Sequence, residues 1–456
     1  MKLTELHIKD YNQFEDFKLD LTYPKGHPKA GQALDKVCFI GQSGTGKTSL
    51  IELLRKTMFT ISSERVLNAL LDKKNNECTV LGNEQLNDIE FSRNGISIKL
   101  DQEINFTFDR YDDKNDFSNN GESFVLKAIG LNKDIVNLLS NKSKIFYYPY
   151  DISYSSNIQL VNNDFIPLLL DTTLYDFSKL SLQNSWSFIN EKIIKDRELE
   201  IKKSLEISKA LQNPKLTNED ILKAREEFFN WRKNSPNPIV DLAEKFLDRI
   251  LNRFNLKVKT ELDFERKEDI ETIKIQTRQG EDIPFDALST GTKQVILTAL
   301  PLYGLKPEKA IILFDEPERS LYPDIQKEIV DFYTSMAKDS QFFFATHSPL
   351  IASSFEPWEI VELKFNEKGK VYQEKYYEGE NHVDNYTINP QYLTWTGILQ
   401  KVFDLEQESN PLRDRQLIEL ATLESKLKHN SLSLEKKKET FEKYQKLATL
   451  LNWELK

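Results

Sequence analysis

The run Gly41-Gln42-Ser43-Gly44-Thr45-Gly46-Lys47-Thr48, continued by Ser49, meets every position of the phosphate-binding loop pattern. Glycines at these places let the backbone curl so that successive N–H groups point inward at β- and γ-phosphate oxygens, with the positive end of a helix behind them. Lys47 would neutralise phosphate charge and the Thr48 hydroxyl would ligate Mg2+. A second group of residues fits the same chemistry. Asp315 and Glu316 close an apolar run that begins at Ala310, where a parallel sheet presents its ligand-binding edge. There Asp315 would hold the metal shell opposite Thr48, and Glu316 would polarise a water attacking the γ-phosphate; the bland alternative is an ordinary acidic turn, Asp-Glu-Pro-Glu. His347 follows another Phe-rich run, Gln341 to Ala345. It reads either as a sensor of the γ-phosphate that orients the water or as a polar loop residue. Leu288-Ser289-Thr290-Gly291-Thr292-Lys293-Gln294 precedes Val295, Ile296 and Leu297. Backbone N–H groups of Ser289 and Gly291 at a helix start form an anion seat, although an ordinary helix N-cap explains the same residues.

The elements needed to position these groups are legible. Val37 to Ile40 reads as a buried strand entering the loop, and Ser49 to Leu54 as the helix leaving it. Upstream, Leu6 and Ile8, then Phe17, Leu19 and Leu21, alternate with polar residues, which predicts an antiparallel ribbon. Asn94-Gly95 between Ile89/Phe91 and Ile96/Ile98/Leu100 predicts a hairpin turn, with Phe106 and Phe108 extending a small β layer. Lys144 to Tyr148 reads as a buried strand stopped by Pro149. From Leu174 to Asn255 the pattern turns helical and highly charged. Leu256 to Leu262 and Thr272 to Gln276 alternate as strands, with Gln279-Gly280 as a turn after them. Ala310–Phe314 and Gln341–Ala345 are continuous apolar runs of the kind found in parallel strands covered on both faces. Past Phe365 a strand or two leads to a polar, tyrosine-bearing stretch, and Leu412–Leu427 with Leu434–Leu451 predicts a helical hairpin broken at His429-Asn430-Ser431.

At 456 residues the chain can bury a large core with two or three lobes. Its net charge of -10 argues against a protein that coats nucleic acid with its whole surface, while leaving room for a local basic face. Cys38 and Cys78 form neither a disulfide framework nor a zinc pattern, as expected in a reducing compartment. The first residues carry no apolar leader and no stretch approaches about 18 apolar residues, so a cytoplasmic location without a membrane partner is expected. No low-complexity tract or internal repeat is present.

Taken together, these residues resemble the ABC-type ATPases of the SMC, RecF and overcoming-lysogenization (OLD) group. Gly41–Thr48 is similar to the Walker A motif, Ile311–Glu316 to Walker B with its catalytic glutamate, and Leu288–Gln294 to a Ser/Thr variant of the signature motif. Ser320-Leu321-Tyr322-Pro323 falls at the D-loop and His347 at the switch histidine. Order and spacing agree from Leu3 to about Leu363. The resemblance implies an α/β fold, a P-loop ABC-type ATPase head with a mixed sheet, an antiparallel β layer, a short inserted helical lobe and a C-terminal helical hairpin. It implies ATP and Mg2+ as ligands. It also implies a head-to-head dimer in which Ser289 and Gly291 of one subunit close over the γ-phosphate held by Lys47 of the other. Gln159 is a weak match to the Q-loop glutamine. The expected division is residues 1–170 for the N-terminal part of the head, 171–255 for the lobe, 256–375 for the C-terminal part of the head, and 376–456 for a helical interaction region.

Departures from the family narrow the reading. The lobe keeps no sustained heptad, so tethering by a long coiled coil is not expected. No Asp-x-Asp follows His347, and the five histidines form no His-Asn-His nuclease cluster. A short-lobed ATPase without a nuclease of its own resembles the ATPase subunits of bacterial anti-phage systems, above all the PtuA family of Septu, with the AriA family of PARIS as a close rival. The former implies a separate HNH nuclease and the latter a separate toprim-type effector. A RecF-like DNA-binding repair ATPase is the alternative. Lys257, Lys259, Arg266, Lys267, Lys274 and Arg278 would then meet phosphates, or else they are a solvated strand face. An ABC transporter's ATPase subunit shares the core but is usually shorter and lacks this β layer and hairpin. Higher assembly through the lobe or the hairpin stays open.

Overall fold

The computed structural model describes residues 1–72, 77–80, 94–101, 103–110, 124–142, 144–150, 174–177, 182–212, 217–235, 237–261, 273–406, 409–428 and 433–453. Alternation at the N-terminus folds as read. Strands β1 (Leu3–Tyr11) and β2 (Phe14–Asp20) pair antiparallel, placing Leu6 opposite Leu19 and Ile8 opposite Phe17, all buried. After β3 (Lys36–Gly41) and β4 (Glu77–Val80), strand β5 (Asn94–Leu100) joins the other side of β1, with Ile96 opposite Ile8 and Ile98 opposite Leu6. Then β6 (Asn105–Arg110) and β7 (Phe124–Ile129) extend the layer antiparallel, Phe106 and Phe108 facing Ile98 and Ile96. Rows of apolar side chains therefore run across the strands and fix the register, because a one-residue slip would turn each row to solvent.

The turn expected at Asn94-Gly95 is corrected here. Asn94 is already in β5, paired with Asp10 of β1, and Gly95 takes a positive φ of 43° beside Lys9. The apolar face of β1 offers this segment a long-range partner, and that outweighs the local dipeptide signal. Ile89 and Phe91 lie outside the described residues.

The second half of the sheet is parallel. Strands β8 (Ile145–Tyr148), β9 (Leu174–Asp176), β13 (Ile311–Asp315), β14 (Gln341–Ala345) and β15 (Ile360–Phe365) run in the order β15-β3-β14-β13-β8-β9. Every residue of β13 and β14 is buried, as continuous apolar runs demand. Strand β16 (Val371–Glu374), antiparallel to β15 and parallel to β2, connects the two, so the β layer and the parallel core form one sheet, of thirteen strands among the described residues. Buried Gln341 spans the junction: its amide donates to the carbonyls of Leu3 (2.9 Å) and Leu34 (3.0 Å) and its Oε1 accepts from Leu3 N (2.6 Å). The remaining strands, β10 (Leu256–Val258), β11 (Ile275–Thr277) and β12 (Asp282–Ile283), make a separate small sheet with its turn at Gln279-Gly280.

Helices take up the lobe, but later than read. Leu174–Asp176 is a strand beside β8 rather than the start of the lobe, its Tyr175 ring stacked on Phe146. Helices then run over Leu182–Gln212 and Asn218–Asn234, the second opened by a capping box between Thr217 and Asp220. Arg232 joins the two through Asp196 (3.0 Å) and Glu200 (3.6 Å). The long helix packs on Thr290–Leu305.

The chain forms two compact units, Met1–Tyr392 and Leu393–Lys456, so that residues 376–392 lie in the first. The second unit, Leu393–Lys456, holds helices Trp395–Lys401, Pro411–Lys428 and Leu434–Leu450. Leu420, Ala448 and Leu451 form its small core. His429, Asn430 and Ser431 lie outside the described residues. No helix among the described residues is long and apolar enough to cross a membrane.

Candidate nucleotide site

Strands β3, β14 and β13 lie side by side and point the same way, with Phe39 level with Ala345 and Ala345 level with Asp315. Their C-terminal ends consequently deliver the glycine loop, Asp315-Glu316 and Thr346-His347 to one edge, where parallel sheets bind ligands. The loop leaves β3 through Gly41, where a Cβ would lie 2.3 Å from the Leu363 carbonyl oxygen on β15. It ends at Gly46, at a φ of 87°, where a Cβ would lie 2.2 Å from Gln13 Nε2. Helix Lys47–Ser62 starts immediately, its first turn receiving no side-chain cap. Those uncapped N–H groups are free of side-chain acceptors, as an anion-binding helix start requires.

Lys47 is buried and its Nζ donates to the carbonyls of Gly41 (2.9 Å) and Gln42 (3.0 Å). Burial lowers its pKa to about 8 against the opposing pull of Glu316 and Asp315. Thr48 Oγ1 donates to Asp315 Oδ1 at 3.1 Å, joining the loop to β13. Asp315 is itself buried, which pushes its carboxyl up to about 6, and its Oδ2 has no hydrogen-bond partner among the described residues. A hydroxyl beside a buried, half-satisfied carboxylate suits Mg2+, which takes one or two protein oxygens and completes its shell with phosphates and water. No cluster of three or more His, Cys, Asp or Glu side chains that would hold a metal unaided occurs among the described residues.

Glu316 stands just past the strand with a φ of 49°, unusual for a side-chain-bearing residue. Its Oε1 lies 3.9 Å from His347 Nε2, and both side chains are over a third exposed (36% and 41%) at the same mouth. That separation is too long for a direct hydrogen bond, and it leaves the pair facing a shared space. Burial, and then the nearby Lys47 charge, lower the His347 pKa, keeping the ring neutral at pH 7.

The segment read as an anion seat or a helix N-cap does form a capped helix start. Ser289 is the N-cap of Thr290–Leu305: its Oγ accepts from Thr292 N (3.2 Å) and lies 2.8 Å from Thr292 Oγ1. Gly291 is buried against the turn after β13, where a Cβ would meet the Ser320 carbonyl oxygen at 2.4 Å. So Lys47, Thr48, Asp315, Glu316 and His347 are brought together within one chain, while Ser289 and Gly291 sit at a capped helix start whose neighbour is Ser320.

The basic stretch is partly consumed internally. Lys259 pairs with Asp282 at 2.8 Å and Arg278 donates to the Asn252 carbonyl at 3.0 Å. Arg266, Lys267 and Gln159 lie outside the described residues.

Residues for which the sequence suggested no role of their own brace these segments. Gln13, at the β1–β2 turn, donates to the Gly44 carbonyl at 3.1 Å, and Gln294 donates to the Pro317 carbonyl at 3.3 Å. Glu318, within the acidic turn, is turned inward and buried. Nothing in local composition separates these glutamines from solvated ones; only the last acid of Asp-Glu-Pro-Glu hinted at Glu318.

Residues 1–352 match the family described as AAA ATPase domain. Among solved structures the chain is similar to the Smc head domain with an extended coiled coil bound to the C-terminal domain of ScpA, from Pyrococcus furiosus (13% identity, TM-score 0.38, 82% of this chain and 96% of that chain). It is also similar to the SMC head domain from Thermotoga maritima (14% identity, TM-score 0.38, 82% of this chain and 99% of that chain).

Proposed function

The chain belongs to the AAA ATPase domain family, and from that premise we propose that it hydrolyses ATP to ADP and phosphate at a site shared by two heads. Its nucleotide state would control a separate nuclease subunit in a bacterial anti-phage defence complex. The observation that carries the ATPase reading is the 3.1 Å contact of Thr48 with Asp315 beside buried Lys47, at the mouth that also holds Glu316 and His347.

Each residue then has a role set by its surroundings. A triphosphate replaces the Gly41 and Gln42 carbonyls as the partner of Lys47, and its charge favours the protonated amine. Thr48 and Asp315 are the side chains that would hold Mg2+, which would offset phosphate charge. Glu316 accepts the proton of the attacking water, and neutral His347 orients that water or the γ-phosphate. Positioning supplies most of the effect, since phosphoryl transfer asks little covalent chemistry of the protein. In the dimer, Ser289 and Gly291, at the start of helix Thr290–Leu305, would close over a phosphate presented by a second head. Closure around ATP and release after hydrolysis would give the two states a regulator needs. The separate nuclease rests on the resemblance to short-lobed defence ATPases.

The test joins binding, turnover and assembly. Lys47→Ala is expected to lose ATP binding. Glu316→Gln is expected to bind ATP normally, to turn over about a hundredfold more slowly, and to accumulate as an ATP-bound dimer in sedimentation. Turnover of Glu316→Gln at the wild-type rate would show that another group is the base. For the regulatory part, the chain is co-expressed with the product of the neighbouring gene, and nuclease activity of the purified complex is followed with and without ATP. Tight, ATP-dependent and salt-sensitive duplex binding by the chain alone, with no nuclease recovered, would instead assign it to the RecF-like DNA-binding class.

A further inference from the structure

Glu318 is a buried ionisable group beside the site for which nucleotide chemistry as described above has no use. Its side chain is 8% exposed although it lies in an acidic turn at the edge of the sheet. Its Oε1 accepts from the Thr346 hydroxyl and from the backbone N–H of His347 (3.2 Å). Thr346, fully buried, in turn accepts from Ser348 N at 2.9 Å. Ser348 Oγ donates to Gln326 Oε1 at 2.6 Å, and Gln326 Nε2 donates to the Leu321 carbonyl at 2.9 Å. The chain of bonds closes on itself: it leaves the turn at Glu318, crosses the loop 346–348, and returns to the turn at Leu321.

We infer that Glu318 is a positioning residue for hydrolysis, clamping the loop that carries His347 to the turn that carries Glu316. This rests on the ATPase reading above. The geometry is specific to that task, because one of the two donors to Oε1 is the peptide N–H of His347 itself. The acceptor, Glu318, stands two positions after Glu316 in the same turn. Fixing that bond fixes the separation of the two backbones from which the 3.9 Å pair projects. Burial of a carboxyl is costly unless its bonds serve something. Here Oε2 has no partner among the described residues, so Oε1 carries the contact. Burial also raises the carboxyl pKa to about 7, which weakens any role as a fixed negative charge and leaves the acceptor function intact.

The experiment compares ATP turnover and affinity for a fluorescent ATP analogue in the wild type, Glu318→Ala, Glu318→Gln, Thr346→Val, His347→Ala and the Glu318→Ala/His347→Ala double variant, with a circular-dichroism melt of each. Glu318→Ala is expected to lower kcat about tenfold or more with KM and affinity within about twofold. Glu318→Gln, which keeps Oε1, restores at least half of the wild-type rate. In the His347→Ala background the Glu318 change costs less than about twofold, since both act through one group. Thr346→Val, which removes one donor only, loses kcat severalfold and carries the test if Glu318→Ala does not fold. A Glu318→Ala or Thr346→Val enzyme at the wild-type rate overturns the inference while leaving the ATPase reading standing. Additive losses in the double variant, or a Gln variant as slow as the Ala variant, overturn it equally. A wild-type chain that neither binds nor hydrolyses ATP overturns the ATPase reading and the inference with it.

Discussion

Replacing Glu359 with Gln should flatten the pH dependence of stability, by an amount the structure fixes. Glu359 immediately precedes β15, the strand whose Leu363 carbonyl presses on Gly41 of the phosphate loop. The side chain is 4% exposed; its Oε2 accepts from Glu356 N at 2.9 Å and lies 3.5 Å from Lys36 Nζ. Burial nonetheless dominates and raises its pKa from 4.5 to about 7, with Lys36 opposing. A carboxyl that holds its proton more tightly when folded adds stability at low pH. That contribution is full below pH 4.5 and is lost as pH rises through about 7. At about 1.36 kcal/mol per pKa unit, the contribution is about 2 kcal/mol at pH 5.5 and close to zero at pH 8. Urea unfolding of wild type and Glu359→Gln at these two pH values isolates the residue, because every other titrating group is common to both. The wild type should lose about 2 kcal/mol more than the variant between pH 5.5 and pH 8. Equal losses in the two proteins would mean that Glu359 is ionised in the fold at pH 5.5, held by Lys36, and that burial does not control it.

Two further substitutions test packing that positions the site. Gly291→Ala sets helix propensity, worth about 1 kcal/mol in favour of Ala, against a Cβ placed 2.4 Å from the Ser320 carbonyl. Because the neighbour is backbone, overpacking of about 1–3 kcal/mol should prevail. A lowered melting temperature together with slower ATP turnover is expected; an Ala variant as stable and as active as wild type would remove the contact from the account. Gln341→Leu strands the Leu3 N–H and the Leu3 and Leu34 carbonyls in a buried junction. At about 1–3 kcal/mol for each unpaired group, it should destabilise the chain by several kcal/mol in urea unfolding, and a loss below about 1 kcal/mol would contradict the burial of that junction.

The position of the glycine loop at the sheet edge was legible because loops of this pattern are constrained by backbone geometry that few residue types satisfy. Gly41 and Gly46 leave no room for a Cβ, and the strands on either side of the loop announce themselves by unbroken apolar runs. What stayed hidden was set by distant partners. Asn94-Gly95 has the composition of a turn, yet β1 draws it into a strand through a match of apolar rows from a distant part of the chain, Ile96 opposite Ile8 and Ile98 opposite Leu6. Likewise Leu174–Asp176 carries no helical or strand signature in three residues, and Phe146 supplies the aromatic surface that orders it. Glu318 and Gln294 look like surface residues until a turn folds back on the sheet and removes their solvent.

That turn also explains how a side chain that must face a mobile ligand can be held still. Glu316 and Ser320 both take positive φ, at 49° and 63°, conformations that cost L-residues about 1–2 kcal/mol each. Such strain persists only where the surroundings over-determine it. Here Glu316 N donates to the Ala345 carbonyl of β14 at 2.8 Å, Arg319 N to the Glu316 carbonyl at 3.1 Å, and Leu321 N to the Glu318 carbonyl at 2.9 Å. Gln294 holds the intervening Pro317 carbonyl from the helix behind, and Gly291 lets that helix approach Ser320. The backbone bend aims Glu316 out of the sheet edge while its neighbours Asp315 and Glu318 stay buried, so the three acids, close in sequence, occupy three different environments. Asp315 beside Thr48 is suited to a cation, Glu318 to the loop of His347, and Glu316 alone is left free to meet water.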